Sequence, residues 1–159
     1  MFHVALYEPE IPPNAGNVAR LCAATGSRLH LIGRLGFSLD EKHLKRAGLD
    51  YWPHVDLVRH ATFGEFLAGL PTDQSVRGLL ARVWCVECPA DVPYTRADFR
   101  FGDVLLFGSE SKGLPADVRD RFAGTTVGIP MLTPHVRSLN LATAVGVVLY
   151  EALRQTHGW

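Results

Sequence analysis

The sequence predicts an α/β protein, a mostly parallel sheet with helices on both faces. Three observations lead there. Short strand-like segments alternate with stretches of helical period along the chain. The strand-like segments are apolar runs, such as Val104-Leu105-Leu106-Phe107, which suits strands covered on both faces. The helical stretches end or begin at punctuating residues, among them Gly26, Gly48 and Pro115.

In order, residues 2–7 read as a strand, 8–13 as a loop with three prolines inside it, and 14–25 as a helix closed by Gly26. Strand 29–32 follows, then a short helix over 40–47, strand 55–58 and helix 63–70. The segment 71–77 reads as a long loop. Strands at 83–86 and 104–107 precede a short helix at 116–122, a last strand at 127–129 and the longest helix, 138–156. No repeat or linker interrupts them, and 159 residues are most simply one domain, 1–159. In open α/β sheets ligands bind beyond the carboxyl ends of strands. The loops after Tyr7, Phe107 and Ile129 are the chemically rich ones.

Composition narrows the function. The chain is 47% hydrophobic and 20% charged, as in ordinary soluble domains. Sixteen basic residues balance sixteen acidic ones, so any nucleic-acid surface must be local. The start, MFHVALYEPE, has no basic n-region, and no apolar run approaches the roughly 20 residues of a membrane span. A cytoplasmic protein without membrane contact is expected. Three cysteines imply no disulfide framework. Cys85 and Cys88 have metal-ligand spacing, but a strand points residues three apart to opposite faces and no second pair exists. Buried thiols, and no metal, are expected.

Three constellations carry chemistry. In EPEIPPNAGNVARLC, Asn14, Asn17 and Arg20 are three apart along one helix side, with Asn14 placed to cap it. Amides and a guanidinium near a helix N-terminus suit an RNA phosphate. A solvated polar face behind a good cap has the same spacing. In GDVLLFGSESKGLP, Gly108 and Gly113 allow close backbone approach or positive φ, and Glu110 could accept from a hydroxyl or amine. An ordinary turn reads the same way. The Gly108–Gly113 spacing is that of a P-loop, yet Leu114-Pro115 stands where Lys-Ser or Lys-Thr is required, which removes nucleoside triphosphates. In IPMLTPHVRSLNLATAVGVVLYEALRQ, Ser138 sits where an N-cap belongs and the helix is apolar nearly all round, as if a second subunit covered it. Asn140, Thr143, Tyr150 and Arg154 form one stripe, a site or a set of buried polar braces. Lys42, Lys45 and Arg46 share a helix face that is solvated or tracks phosphates.

The segments YEPEIPPNAGNVARLCAATG, DEKHLKRAGLDYW, FGSESKGLP and the 129–155 stretch, in this order, resemble the motifs and basic insert of the SPOUT superfamily of RNA methyltransferases. Within it they are most similar to the minimal TrmL/YibK type, which methylates the ribose 2′-hydroxyl of the tRNA wobble nucleotide (position 34, C or modified U). The resemblance implies a C-terminal trefoil knot, a homodimer, and S-adenosylmethionine held in the knot and released as S-adenosylhomocysteine. It implies a cofactor pocket of Val86, Gly108, Glu110, Gly113, Ile129, Met131, Ser138 and Leu139. It makes Arg20 the catalytic residue, supported by Asn14, Asn17 and Asn140. Tyr150 and Arg154 would serve the dimer and its shared site, and Lys42, Lys45, Arg46 and Arg154 the RNA. The chain departs from the pattern at Ser109, where relatives carry proline, and at Glu87-Cys88-Pro89, where they carry a Thr-Lys-Gly type turn. A ribosomal RNA target, another tRNA position, or a non-catalytic RNA-binding protein of the same fold are the competing readings.

Overall fold

The apolar runs pair side by side. A computed structural model describes residues 1–37, 51–70, 72–73 and 79–159. Strand β1 (His3–Tyr7) leads through helix α1 (Pro12–Thr25) to β2 (Arg28–Ile32). A 3-10 turn at Trp52–His54 precedes β3 (Leu57–His60) and α2 (Phe63–Ala68). Two short strands, β4 (Thr72–Asp73) and β5 (Leu79–Leu80), stand apart as an antiparallel pair. Then follow β6 (Val83–Val86), β7 (Val104–Phe107), α3 (Ala116–Arg121), β8 (Thr126–Val127) and α4 (Leu141–His157).

The main sheet has six strands in the order β3-β2-β1-β7-β6-β8, every pair parallel. From β1 the chain builds outward to β2 and β3, then returns to build the other half. The reversal lies between β1 and β7, where an α/β sheet opens its ligand crevice. Successive strand residues face opposite sides. Val4, Leu6, Leu105 and Phe107 meet Val18 and Cys22 of α1 and Val145, Val148 and Leu149 of α4. Ala5, Ile32, Val104 and Leu106 meet Phe66 of α2 and Val118 of α3. Both faces are therefore covered, as the apolar runs require.

Several expectations need correction. β3 starts two residues later than its apolar pattern suggests, because the Trp52–His54 turn uses up the approach and Leu57 pairs with Leu29. The segment 71–77 is not wholly loop, since Thr72 pairs with Leu80. α4 starts at Leu141, with Asn140 rather than Ser138 as its cap. Its burial is one-sided within the chain: Leu141, Val145, Val148, Leu149, Ala152 and Leu153 are inside, while Thr143, Tyr150 and Arg154 are exposed. The expected helix 40–47, with Lys42, Lys45 and Arg46, lies outside the described residues. Among the described residues no helix is long and apolar enough to cross a membrane.

A row of buried histidines crosses β1, β2 and β3. His30 lies opposite Ala5 and His60 opposite Ile32, so each histidine stands two residues further along than the last. His3 Nδ1 meets His30 Nε2 at 2.9 Å, and His30 Nδ1 meets His60 Nε2 at 2.9 Å. Neighbouring rings stack at 5.2 Å, and Phe66 presents its ring edge-on to His30 and His60. Each shared contact needs one N–H and one bare nitrogen, so the row is built for neutral rings. Burial, then His3 and His60, push His30 down to about 3.

Candidate active site

The site grows from the carboxyl ends of β1, β6 and β7. Pro12 and Pro13 occupy the first turn of α1, where missing N–H groups cost nothing, and Ile11 stands at the N-cap with no side-chain bond. Asn14 is thus not the cap, and it is released to turn inward. It is 5% exposed, whereas Asn17 and Arg20 are exposed, so the three do not form one face.

Asn14 ties the three motifs together. Asn140 Oδ1 accepts from the N–H groups of Ala142 and Thr143 as the cap of α4. Its Nδ2 must then point outward, and it donates to Asn14 Oδ1 at 2.8 Å. Asn14 Nδ2 in turn donates to Glu110 Oε1 at 2.9 Å. Capping at one end sets the direction of the whole chain of amides. Glu110 also accepts from the backbone N–H of Glu10 at 2.8 Å and of Ile11 at 3.2 Å. Partial burial works to raise its pKa, but the donors from Asn14, Glu10 and Ile11 outweigh this and hold it below the ordinary carboxyl value. Glu10 answers in kind, accepting from Ser111 Oγ at 2.6 Å and Ser111 N–H at 3.1 Å. Two carboxylates thus clasp the loops after β1 and β7.

The glycines of the β7 loop serve its closure. A side chain on Gly108 would fall 2.1 Å from the Gly113 carbonyl carbon, and Gly113 takes φ 68°. Ser109 N–H donates to Gly113 O at 3.2 Å, and Gly113 N–H to Ser109 O at 2.9 Å. Proline at 109 would lack the first of these donors, so this departure from the family pattern adds a bond to the pinch.

Around the clasp lies a cleft of about 630 Å³, a size typical of small-molecule sites. Ile11, Asn14, Glu87, Gly108, Glu110, Gly113, Ser138 and Asn140 line it, with Lys112, Arg119 and Arg137. An apolar recess of Val86, Ile129, Met131, Leu139 and Ala144 adjoins it, with Glu87, Cys88 and Ser138 at its edge. Cys88 Sγ donates to Arg137 O at 2.8 Å, while Cys85 is buried in the core. Among the described residues no three His, Cys, Asp or Glu side chains converge as a metal set.

Every expected cofactor residue therefore borders the cleft or its recess, and Asn14 and Asn140 join them. Arg20 and Asn17 do not line it. The Arg20 guanidinium instead sits 4.7 Å from the ring centre of Tyr51, whose hydroxyl donates to Gly16 O at 2.9 Å. Tyr150 lies 47% exposed, and Arg154 pairs with Glu151 at 2.8 Å. Glu10 and Tyr51 carry no signal of their own in the sequence, and Glu87 enters it only as part of a departure from the family pattern. Their partners are distant in the chain, Glu10 and Ser111 being 101 residues apart, so no local pattern marks the clasp.

Known proteins share this architecture. The family model of the SpoU rRNA methylases matches residues 1–150. The tRNA (cytidine(34)-2'-O)-methyltransferase of Escherichia coli (strain K12) is 43% identical over 156 residues, spanning 98% of this chain and 94% of that protein. The enzyme of the same name from Methylovorus glucosotrophus (strain SIP3-4) is 44% identical over 98% of this chain and 96% of its own. A solved structure described as giving structural insights into the 2-OH methylation of C/U34 on tRNA superposes with a TM-score of 0.89. It is 55% identical and covers 100% of this chain and 98% of its own. The AdoMet-bound rRNA methyltransferase from Sinorhizobium meliloti gives 0.78 at 29% identity, over 96% of this chain and 56% of its own.

Fold and cleft together define an α/β methyltransferase of the SPOUT class, with the trefoil-knot fold that its motifs imply. Within that class, the chain belongs to the SpoU rRNA methylase family. The residues present also fit S-adenosylmethionine. The apolar recess suits a flat base, the polar cleft beside it a ribose, and Lys112, Arg119 and Arg137 an amino-acid carboxylate.

Proposed function

We propose that the protein transfers a methyl group from S-adenosylmethionine to the ribose 2′-hydroxyl of the wobble nucleotide, position 34, in tRNA anticodon loops. The observation that carries this reading is the Asn140–Asn14–Glu110 chain. It brings the three motifs named by resemblance to one cleft, at 2.8 and 2.9 Å, across 126 and 96 residues of sequence. The likeness to tRNA (cytidine(34)-2'-O)-methyltransferases over nearly the whole chain supports the same target.

When bound, S-adenosylmethionine supplies a methyl group on a positive sulfur, an electrophile that needs no further activation. What the chain must add is position and charge. Holding two reactants in line is worth roughly 7–11 kcal/mol in favourable cases. Arg20 is the residue for the developing alkoxide. A guanidinium is a poor base, so Arg20 acts by gripping the substrate phosphate and stabilising negative charge. Single-stranded loops suit such a site because their riboses are reachable without melting a duplex.

Arg20 stands outside the cleft of its own chain, which supports a homodimer whose site draws on both subunits. The exposed side of α4 supports it too. Tyr150 and the half-buried Val147 face outward there, and a side chain on Gly146 would meet only Leu21, at 4.0 Å. A cytoplasmic location, where tRNA is found, belongs to the same proposal.

The test is methylation of total tRNA in vitro, with mapping of the modified nucleotide and ribosomal RNA fragments as competitors. Methylation confined to position 34 supports the reading, and methylation only of ribosomal RNA overturns it. Arg20→Ala should lower turnover more than about 100-fold while calorimetry shows S-adenosylhomocysteine binding within about twofold of wild type. Sedimentation should give twice the chain mass.

A further inference from the structure

Glu87 occupies a place that neither the clasp nor the proposed chemistry uses. It ends β6 at the turn where this chain departs from the family pattern, and its own N–H donates to Val127 O at 3.0 Å, which fixes its backbone. Its Oε1 accepts from Leu114 N–H at 3.2 Å, so the side chain leans against the pinched β7 loop. Oε2 lies 3.5 Å from where a side chain on Gly113 would begin, an ordinary contact distance, so the carboxylate rests beside the pinch.

Glu87 is the acidic residue common to the cleft and the apolar recess. The other carboxylate of the cleft, Glu110, is already held by three donors. The basic side chains Lys112, Arg119 and Arg137 line the cleft but not the recess. Burial pushes the Glu87 carboxyl up, against the opposing pull of the Leu114 N–H and of Arg119. A carboxylate that takes a single hydrogen-bond donor among the described residues, at the mouth of an apolar recess, can accept hydroxyl or ammonium protons. In a nucleoside, the group next to the base is the ribose, whose two neighbouring hydroxyls are donors that a carboxylate can accept together.

We infer that Glu87 is a specificity-determining residue that accepts from the ribose hydroxyls of the methyl donor, with the base in the recess beside it. The inference rests on the methyl-donor reading above. It makes cofactor selection in this chain depend on a charged side chain at a turn where the resembling family has Thr-Lys-Gly.

The experiment is calorimetry with S-adenosylhomocysteine and with its 2′,3′-dideoxyribosyl analogue. Wild type should prefer the ribose form by about 10- to 100-fold, the span of a hydrogen bond to a charged group. Glu87→Gln keeps an acceptor for Leu114 but removes the charge, and the preference should shrink to about twofold. Glu87→Thr, nearer the family pattern, is the second variant and should behave the same way. Equal affinity for both ligands in wild type, or an undiminished preference in either folded variant, overturns the role of Glu87. Failure of wild type to bind S-adenosylhomocysteine at all would instead overturn the methyl-donor reading itself.

Discussion

Two polar networks run through this molecule, one on each half of the sheet's history. The histidine row crosses β1, β2 and β3, the strands laid down first, and meets the face covered by Phe66. The Asn140–Asn14–Glu110 chain crosses the opening between β1 and β7 and borders the cleft. The first is built for neutral rings and the second around a charge. Among the described residues the histidine side chains hydrogen-bond only to one another, so desolvation wins and the rings stay neutral. Glu110 has an amide and two backbone N–H groups, so the donors win and the carboxylate stays charged. Burial alone does not set the charge of a buried group; the count of donors does. The lesson extends to function, because a charged, donor-rich junction can align loops around a ligand while a neutral row can only hold strands.

Breaking the clasp should have the largest effect on ligand binding. Glu110→Ala leaves Asn14 Nδ2 and the N–H groups of Glu10 and Ile11 without their acceptor. Hydrogen bonds to a charged group contribute about 1.5–3 kcal/mol. Affinity for S-adenosylhomocysteine should fall about 10- to 100-fold by calorimetry, with methylation reduced at least as much. His30→Leu removes the centre of the other network at similar cost to stability, yet the folded fraction should bind the same ligand within about twofold. Equal loss of affinity in both variants would show that the two networks are not separate.

Acid separates them next. A neutral buried histidine contributes stability that is present above its unfolded pKa, the ordinary 6.5, and is lost as pH falls below it, since the unfolded chain then binds the extra proton. With His30 held at about 3, each pH unit below about 6.5 costs up to about 1.4 kcal/mol. Glu110 has a lowered pKa, so its contribution persists until pH drops below the ordinary carboxyl value, 4.5. Between these limits the histidine row weakens while the clasp holds. Denaturant midpoints measured across that window should fall with pH in wild type, and should fall much less in His30→Leu. Parallel slopes would place the acid sensitivity elsewhere.

The sheet and its helices were legible because apolar runs announce themselves locally. The networks were not. Arg59 and His60 look like loop residues after the run at Val55, and they become strand because His60 finds His30 and β3 finds β2. Asn14 looks like a cap because it follows Pro12 and Pro13, yet those prolines start the helix without one and free the amide for Asn140, 126 residues away. Ser138 and Asn140 are equally good caps by type, and it is Asn140 that accepts from Ala142 and Thr143 while it also reaches Asn14. The motifs therefore converge on one cleft, while their internal geometry depends on partners no local pattern contains.

The smallest expected effect lies at Tyr51, the neighbour of Arg20 and outside both networks. The Arg20 guanidinium rests on the Tyr51 ring at 4.7 Å, and exposed contacts of this kind are worth about 0.5–1 kcal/mol. The Tyr51 hydroxyl also braces α1 through Gly16 O. The two roles come apart by substitution. Tyr51→Phe keeps the ring and loses the hydroxyl, so kcat should stay near wild type with a small loss of stability. Tyr51→Leu loses both, and kcat should fall about two- to fivefold, with S-adenosylhomocysteine affinity unchanged because Tyr51 does not line the cleft. If Phe and Leu lower kcat equally, the ring does not position Arg20, and the hydroxyl's hold on α1 is what matters.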